Sequence, residues 1–133
     1  MLFDIHGDIW TDVTVKRQMG LKNIIRDYHL ERFRKGNMAG GIFVIWIDPP
    51  HDERPEERLL ESIKAMSSEI WENQDILKVI YNSDDFYQAA NENKLAILLG
   101  LEGLNAIGED IESIYTLYQL GFRHASLTWN EQN

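Results

Sequence analysis

The densest group of potential metal ligands lies near the start of the sequence. Asp4, His6 and Asp8 occupy alternate positions of a short strand-like segment. Alternate residues of a strand point to the same face, so these three polar side chains are expected to share a face. An imidazole nitrogen and a carboxylate oxygen can each bind a divalent cation at about 2.0 to 2.2 Å. Taken alone, the pattern also fits a polar strand end at which Asp8 caps the following segment.

A further candidate ligand, Glu102, directly follows the apolar run of residues 95–101, LAILLGL. In parallel α/β folds the carboxyl ends of the strands form the ligand-binding edge, so His6, Asp8 and Glu102 are expected to meet there. A carboxylate withdrawn from water is costly, and a shared cation offsets that cost. The alternatives are that Glu102 reaches solvent or pairs with Arg123.

The other histidines are weaker candidates for chemistry. His29 lies in a charged, helix-compatible stretch and is expected on its surface. His51 lies among charged residues after two prolines, where a solvated loop is expected. His124 falls in a strand-like segment and is expected to have a structural role. No phosphate-binding loop or serine nucleophile motif is found in the sequence.

Composition narrows the classes of function. The chain has 13 Lys and Arg against 22 Asp and Glu, a net charge of −9, which repels nucleic-acid phosphates and anionic membranes. We therefore expect no nucleic-acid partner and no membrane partner. The sequence has no Cys, which excludes disulfides, thiolate zinc sites and a cysteine nucleophile, so any metal must be held by His, Asp and Glu. This composition favours a cytoplasmic location.

The length of 133 residues predicts a single unit spanning residues 1–133. The first residues contain no basic region ahead of an apolar stretch, so a signal peptide is not expected. The apolar runs are also much shorter than the roughly 20 residues of a membrane helix.

Four segments have the character of strands. Residues 41–47 (GIFVIWI) and 95–101 are apolar at nearly every position, which is typical of strands buried on both faces. Residues 2–5 and 123–128 are shorter, more mixed candidates.

Amphipathic helices are expected between these strands. They cover residues 54–73, a segment that follows an N-cap at residues 82–85, and a segment from about residue 109 to Gly121. Three aromatic side chains at helical spacing are expected to pack in the core: Trp71, Tyr115 and Tyr118. Apolar strands that alternate with helices predict a parallel α/β sheet, either doubly wound or part of a (β/α) barrel.

Taken in order, four segments resemble the membrane (renal) dipeptidase family of metal-dependent peptidases. The family's opening Asp-x-His-x-Asp pattern is similar to residues 4–8, and its Gly-Gly second strand is similar to residues 40–43. Its Glu-Gly segment is similar to residues 99–103, and residues 117–123 and 127–128 follow at the family's spacing. The resemblance covers essentially the whole chain.

The resemblance implies a (β/α)8 barrel of the TIM type. A complete barrel takes about 250 residues, so this chain with its four or so strands is similar to the N-terminal half. The second metal's two histidines and the family's later Arg and Asp residues have no counterpart here. A half-barrel has open sheet edges, which predicts a homo-oligomer or association with the missing C-terminal half.

The resemblance also implies roles for individual residues. His6 and Asp8 would bind the first of two divalent ions, which the resemblance implies to be zinc, and Glu102 would bridge both ions as the catalytic carboxylate. Trp129 falls where some members place a substrate-contacting His, so it is the candidate for substrate binding. Members of the family hydrolyse dipeptides and often tolerate a D-residue at the C-terminal side.

The sequence therefore supports a metal-dependent dipeptidase, of which this chain alone is expected to be inactive. One alternative is an inactive half-barrel that acts as an interaction or scaffold module. Another is a metal-dependent amidohydrolase that acts on a non-peptide amide. The residue types do not fix the metal, because His with carboxylates accepts Zn, Mn, Fe or Co.

Overall fold

The computed structural model describes residues 1–128, in which parallel strands alternate with helices. The predicted α/β fold class is confirmed. The strands are β1 (Leu2–Gly7), β2 (Met38–Trp46), β3 (Leu77–Val79), β4 (Leu95–Glu102) and β5 (Phe122–Ser126). The α-helices are α1 (Ile9–Gln18), α2 (Leu30–Lys35), α3 (Pro55–Glu72), α4 (Ser83–Asn91) and α5 (Glu112–Gln119). A π-helical turn (Ile25–His29) precedes α2, and a 3-10 turn (His51–Glu53) precedes α3.

Strand β4 is the centre of the sheet. One of its edges pairs with β2, which in turn pairs with β1. The first half of β4 also pairs with β3, and its second half pairs with β5. The described residues thus contain five strands, one more than predicted. The additional strand, β3, has three residues, which are too few for a periodic pattern to identify.

The predicted helices are confirmed with small shifts at their ends. Helix α3 begins at Pro55, and the Asn82 side chain caps α4 by accepting a hydrogen bond from the Asp85 backbone N–H at 3.1 Å. The core prediction for Trp71, Tyr115 and Tyr118 is wrong, because all three side chains are exposed. In α5 the buried residue is Leu117, so this helix turns its tyrosines away from the sheet.

Helix α1 is absent from the sequence predictions. Its buried residues are Trp10, Thr11, Val13 and Thr14. Two of these four are threonines, so only two apolar side chains mark the buried face of the helix. Periodicity therefore gives little sign of this helix. Trp10 nevertheless packs edge-on against Phe43 of β2, with ring centroids 5.8 Å apart.

The main core lies between one face of the sheet and the helices. Phe43 and Ile45 of β2, with Ile47 just after it, belong to this core together with Leu99 and Leu101 of β4. These alternating side chains pack against the helices, so the residues between them lie on the opposite face of the sheet. That opposite face carries Glu102.

None of the helices described for residues 1–128 is both long enough and apolar enough to cross a membrane. The cytoplasmic location stays a prediction.

Arg58 forms a buried polar cluster beside the end of β2. Its guanidinium donates two hydrogen bonds to the Asp48 carboxylate, from Nε at 2.8 Å and from Nη2 at 3.1 Å. Nη1 also donates to Gln18 Oε1 at 2.9 Å and to Glu61 Oε2 at 3.2 Å. Paired charged hydrogen bonds of this kind are geometrically specific, so Arg58 ties α3 to α1 and to the segment after β2.

Replacing Arg58 is therefore expected to destabilise the fold. Arg58→Met should lower the free energy of unfolding by about 3 kcal/mol, because it leaves the Asp48 carboxylate without its partner. The matched control is Arg54→Met, since Arg54 is exposed and pairs with Glu57 at 3.0 Å. Its cost should stay below about 1 kcal/mol. Equal losses for the two variants in urea denaturation would contradict the assigned role of Arg58.

Candidate metal site

Three side chains with metal-binding groups meet at the carboxyl edge of the sheet. His6 lies near the end of β1, Asp8 follows that strand, and Glu102 ends β4. His6 Nε2 lies 2.9 Å from Glu102 Oε2 and 3.8 Å from Asp8 Oδ1. One potential ligand atom from each residue lies within 4.8 Å of the others. The structure thus brings together the three residues that the sequence places at one edge.

The parallel topology produces this convergence. Strand β2 lies between β1 and β4, so the carboxyl ends of all three strands reach the same edge. The ladder between β1 and β2 is irregular between Asp4 and Gly7. At this irregularity Asp4 Oδ1 accepts a hydrogen bond from the His6 backbone N–H at 3.2 Å. Asp4 therefore holds the chain beside His6 and does not join the three-residue group, unlike the expectation from strict alternation.

Asp8 occupies the N-cap position of α1 but does not cap it. Its side chain accepts no hydrogen bond from the backbone N–H groups of the first turn of α1. The Asp8 side chain is 57% exposed, the His6 side chain 42% and the Glu102 side chain 12%. The group is therefore open to solvent on the β1 side, and Glu102 forms its buried wall.

Glu102 lies in an environment that disfavours its negative charge. Burial raises the pKa of the Glu102 carboxyl, and the hydrogen bond with His6 opposes this shift. The nearby Asp8 charge raises the pKa further, so the net shift is upward from 4.5. The alternative pairing with Arg123 is not formed, because that guanidinium donates to the backbone carbonyls of Tyr118 and Phe122 at 2.8 and 2.9 Å.

The donor set suits a divalent cation on chemical grounds. One imidazole and two carboxylates are common zinc ligands at about 2.0 to 2.2 Å. Ligand atoms at this distance in a tetrahedral site are about 3.3 Å apart. The observed separations of 2.9 and 3.8 Å lie on either side of that value, so small side-chain rotations would suffice. A bound cation would also offset the cost of ionising Glu102 next to Asp8.

The sheet places further residues beside the group. In the strand register, Glu102 is flanked by Trp46 on β2 and by Ser126 on β5. The Gly103 backbone N–H donates to the Ser126 carbonyl at 3.1 Å and lies 3.4 Å from its Oγ. Trp46 gave no sequence signal of a site role, because it lies within an apolar run that is typical of a buried strand.

The remaining candidates lie elsewhere. Trp129 falls outside the described residues, so its role in substrate binding stays a prediction. His29 is mostly buried and lies 2.7 Å from Asp12 Oδ2, so the predicted surface position is wrong. His51 begins the 3-10 turn before α3. His124 lies on β5 as the register partner of Gly100, two positions before Ser126.

Comparison with known proteins gives a match over the whole chain. The family model described as "Membrane dipeptidase (Peptidase family M19)" matches residues 1–133. Dipeptidase ataJ of Aspergillus terreus is 24% identical over 113 residues, which is 78% of this chain and 28% of that protein.

Two solved structures have a similar fold. The crystal structure of the dipeptidase AC, a metallopeptidase of family M19, gives a TM-score of 0.84 at 20% identity over 98% of this chain and 43% of that one. A metallopeptidase from Rhodobacter sphaeroides, liganded with a phosphinate mimic of the dipeptide L-Ala-D-Ala, gives 0.80 at 19% identity over 98% and 46%. The chain thus spans less than half the length of each of these relatives.

Gly100 lies two residues before Glu102 on the same face of β4, in a closely packed position. A methyl group at this position would lie 2.8 Å from Val44 Cγ1 and 3.1 Å from His124 Cδ2. Gly100→Ala is therefore expected to lower the free energy of unfolding by about 1 to 3 kcal/mol through overpacking. Urea denaturation measures this change.

The control is Gly36→Ala, at the end of α2. Its added methyl group would have the Arg32 carbonyl oxygen, at 3.4 Å, as its nearest neighbour. The expected change is within about 0.5 kcal/mol. A Gly100→Ala protein as stable as the Gly36→Ala protein would show that the surroundings of Gly100 are not tightly packed.

Proposed function

The chain belongs to the membrane dipeptidase family, peptidase family M19, and from this we propose that it provides a metal half-site of a dipeptidase. The observation that carries the proposal is the meeting of His6, Asp8 and Glu102 at the carboxyl edge of the sheet. Family membership supports hydrolysis of dipeptides, and the donor set supports a divalent cation as the cofactor.

His6 and Asp8 are proposed to bind the first cation, with Glu102 as the shared ligand of two. The His6 imidazole offers Nε2, which already faces Glu102 Oε2. A carboxylate has two oxygens, so Glu102 has the chemical means to contact two ions. We propose zinc as the resident metal, because one nitrogen and carboxylate oxygens form a common zinc ligand set.

The bound cation would lower the pKa of a coordinated water towards about 7 and polarise the carbonyl of the scissile peptide bond. The residues of this chain position the reacting groups. Glu102, with 12% of its side chain exposed, lies where a low dielectric strengthens electrostatic interactions. His6 and Asp8 lie on the open side, from which a dipeptide can approach.

Dipeptides are the proposed substrates, including those with a D-residue at the C-terminal side. Support comes from the Rhodobacter sphaeroides relative, which was crystallised with a mimic of L-Ala-D-Ala. Trp129 is proposed to contact the substrate by aromatic packing.

Completion of the barrel is part of the proposal. In the described residues β1 pairs only with β2, so its outer edge is open, and its Leu2 and Ile5 side chains are exposed, which favours contact with further protein. Either a second copy of this chain or a C-terminal half of the barrel would cover this edge. The non-enzymatic scaffold module and the amidohydrolase stay alternatives that the assays below distinguish.

Metal titration and dipeptide hydrolysis together test the proposed function. The purified protein should bind zinc in a calorimetric titration, and His6→Ala should weaken binding at least about 10-fold because it removes a ligand. The zinc-loaded chain should be inactive on its own. Joined with the half that completes the barrel, it should hydrolyse L-Ala-L-Ala or L-Ala-D-Ala, and Glu102→Gln should reduce this turnover at least about 100-fold.

The control variant is His51→Ala, which removes a histidine from the 3-10 turn outside the group. It should leave zinc binding unchanged. Zinc binding that is equal in wild type and His6→Ala would refute the site. A completed barrel that binds zinc at this site but cleaves neither dipeptide would support the scaffold module, and cleavage of other amides alone would support the amidohydrolase.

A further inference from the structure

We propose that Thr11 is a positioning residue, which fixes Asp8 relative to Glu102 by joining α1 to the end of β2. This inference rests on the proposed cation site. In the described residues the Thr11 hydroxyl bonds to Trp46 and not to His6, Asp8 or Glu102, so any effect on the site must act through the elements that it joins.

Thr11 makes two hydrogen bonds to one residue of the neighbouring strand. Its Oγ1 donates to the Trp46 carbonyl oxygen at 3.0 Å and accepts from the Trp46 backbone N–H at 2.9 Å. A hydroxyl group can donate and accept at the same time, so both bonds can form together. Thr11 is buried, where such bonds are costly to lose.

These two bonds connect the two sides of the metal-binding group. Thr11 lies in the first turn of α1, three positions after Asp8. Trp46 ends β2 and is the register partner of Glu102 on β4. Hydrogen bonds therefore connect α1, which follows Asp8, through the Thr11 side chain and Trp46 to β4, which carries Glu102.

Other contacts of Asp8 do not provide this restraint. The β1–β2 ladder is irregular just before it, between Asp4 and Gly7. The Asp8 side chain does not cap α1, and the bond from the Asp12 backbone N–H to the Asp8 carbonyl is long, at 3.3 Å. Trp10 holds α1 onto the sheet by apolar packing, but apolar packing is not directional. The directional bonds between the start of α1 and β2 that the structure describes are those of Thr11.

Thr14 offers a matched comparison on the same helix. It is also a buried threonine, and its Oγ1 donates to the Trp10 carbonyl at 2.7 Å. That bond stays within α1, so it does not connect the helix to the sheet. Loss of the Thr14 hydroxyl therefore reproduces the loss of a buried hydrogen bond in α1 without loosening the site.

The test compares Thr11→Val, Thr11→Ser and Thr14→Val, because valine keeps the shape of threonine and serine keeps its hydroxyl. The zinc Kd of each is measured by competition with a chromophoric chelator, and the Tm by circular dichroism. Thr11→Val should weaken zinc binding about 10-fold, as expected for an outer-shell residue. Thr11→Ser should restore binding to within about 2-fold, and Thr14→Val should bind like wild type even where its Tm falls.

A second measurement uses zinc-free protein. The NMR resonances of the His6 imidazole and the Asp8 backbone should shift in Thr11→Val and stay in place in Thr14→Val. Thr11→Ala serves the same purpose if Thr11→Val does not fold. Unchanged Kd and unchanged resonances on loss of the Thr11 hydroxyl would overturn the inference, and so would equal effects in Thr14→Val. A wild-type protein that binds no zinc would instead refute the proposed function. The His6 and Asp8 resonances of the zinc-free protein would still show whether Thr11 positions these residues.

Discussion

The arrangement at the sheet edge is governed by the cost of an ionised Glu102 carboxylate. This group is largely withdrawn from water, and Asp8 brings a second negative charge close to it. One hydrogen bond with His6 offsets only part of that cost, since the pKa of Glu102 stays raised. A cation held by the three side chains would satisfy both carboxylates at once. The electrostatics and the family relationship therefore support the same cofactor by independent arguments.

The topology of the sheet makes this costly arrangement possible. Because β4 is central, its carboxyl end is enclosed by β2 and β5, and Glu102 is largely withdrawn from solvent there. Strand β1 lies farther out, so His6 and Asp8 stay accessible to solvent. The group thus has a buried carboxylate wall and an open side, which is the asymmetry that a site for a cation and a substrate needs.

The sequence predicts the fold class and the convergence of the site because both depend on local patterns. Apolar runs identify β2 and β4, and parallel strands bring their carboxyl ends to one edge, so Glu102 could be placed near His6 without coordinates. Helix α1 could not be found in this way, since its buried threonines hide the apolar stripe. The bonds of Thr11 to Trp46 join residues 35 positions apart, and no periodic pattern encodes such a contact. For α5 the opposite happened. The helical spacing of its tyrosines predicted a core position, but the side that carries them faces away from the sheet.

The number of protein ligands in the three-residue group indicates which parts of a dipeptidase site this chain can form alone. Catalytic zinc sites commonly use three protein ligands and leave one position for water or substrate. His6, Asp8 and Glu102 already supply three donors, so under the proposed function the first cation needs no further protein ligand. The missing contributions then concern the second ion and the substrate. The first cation and its positioning by Thr11 can therefore be studied in this chain on its own, which separates the assembly of the site from the completion of the barrel.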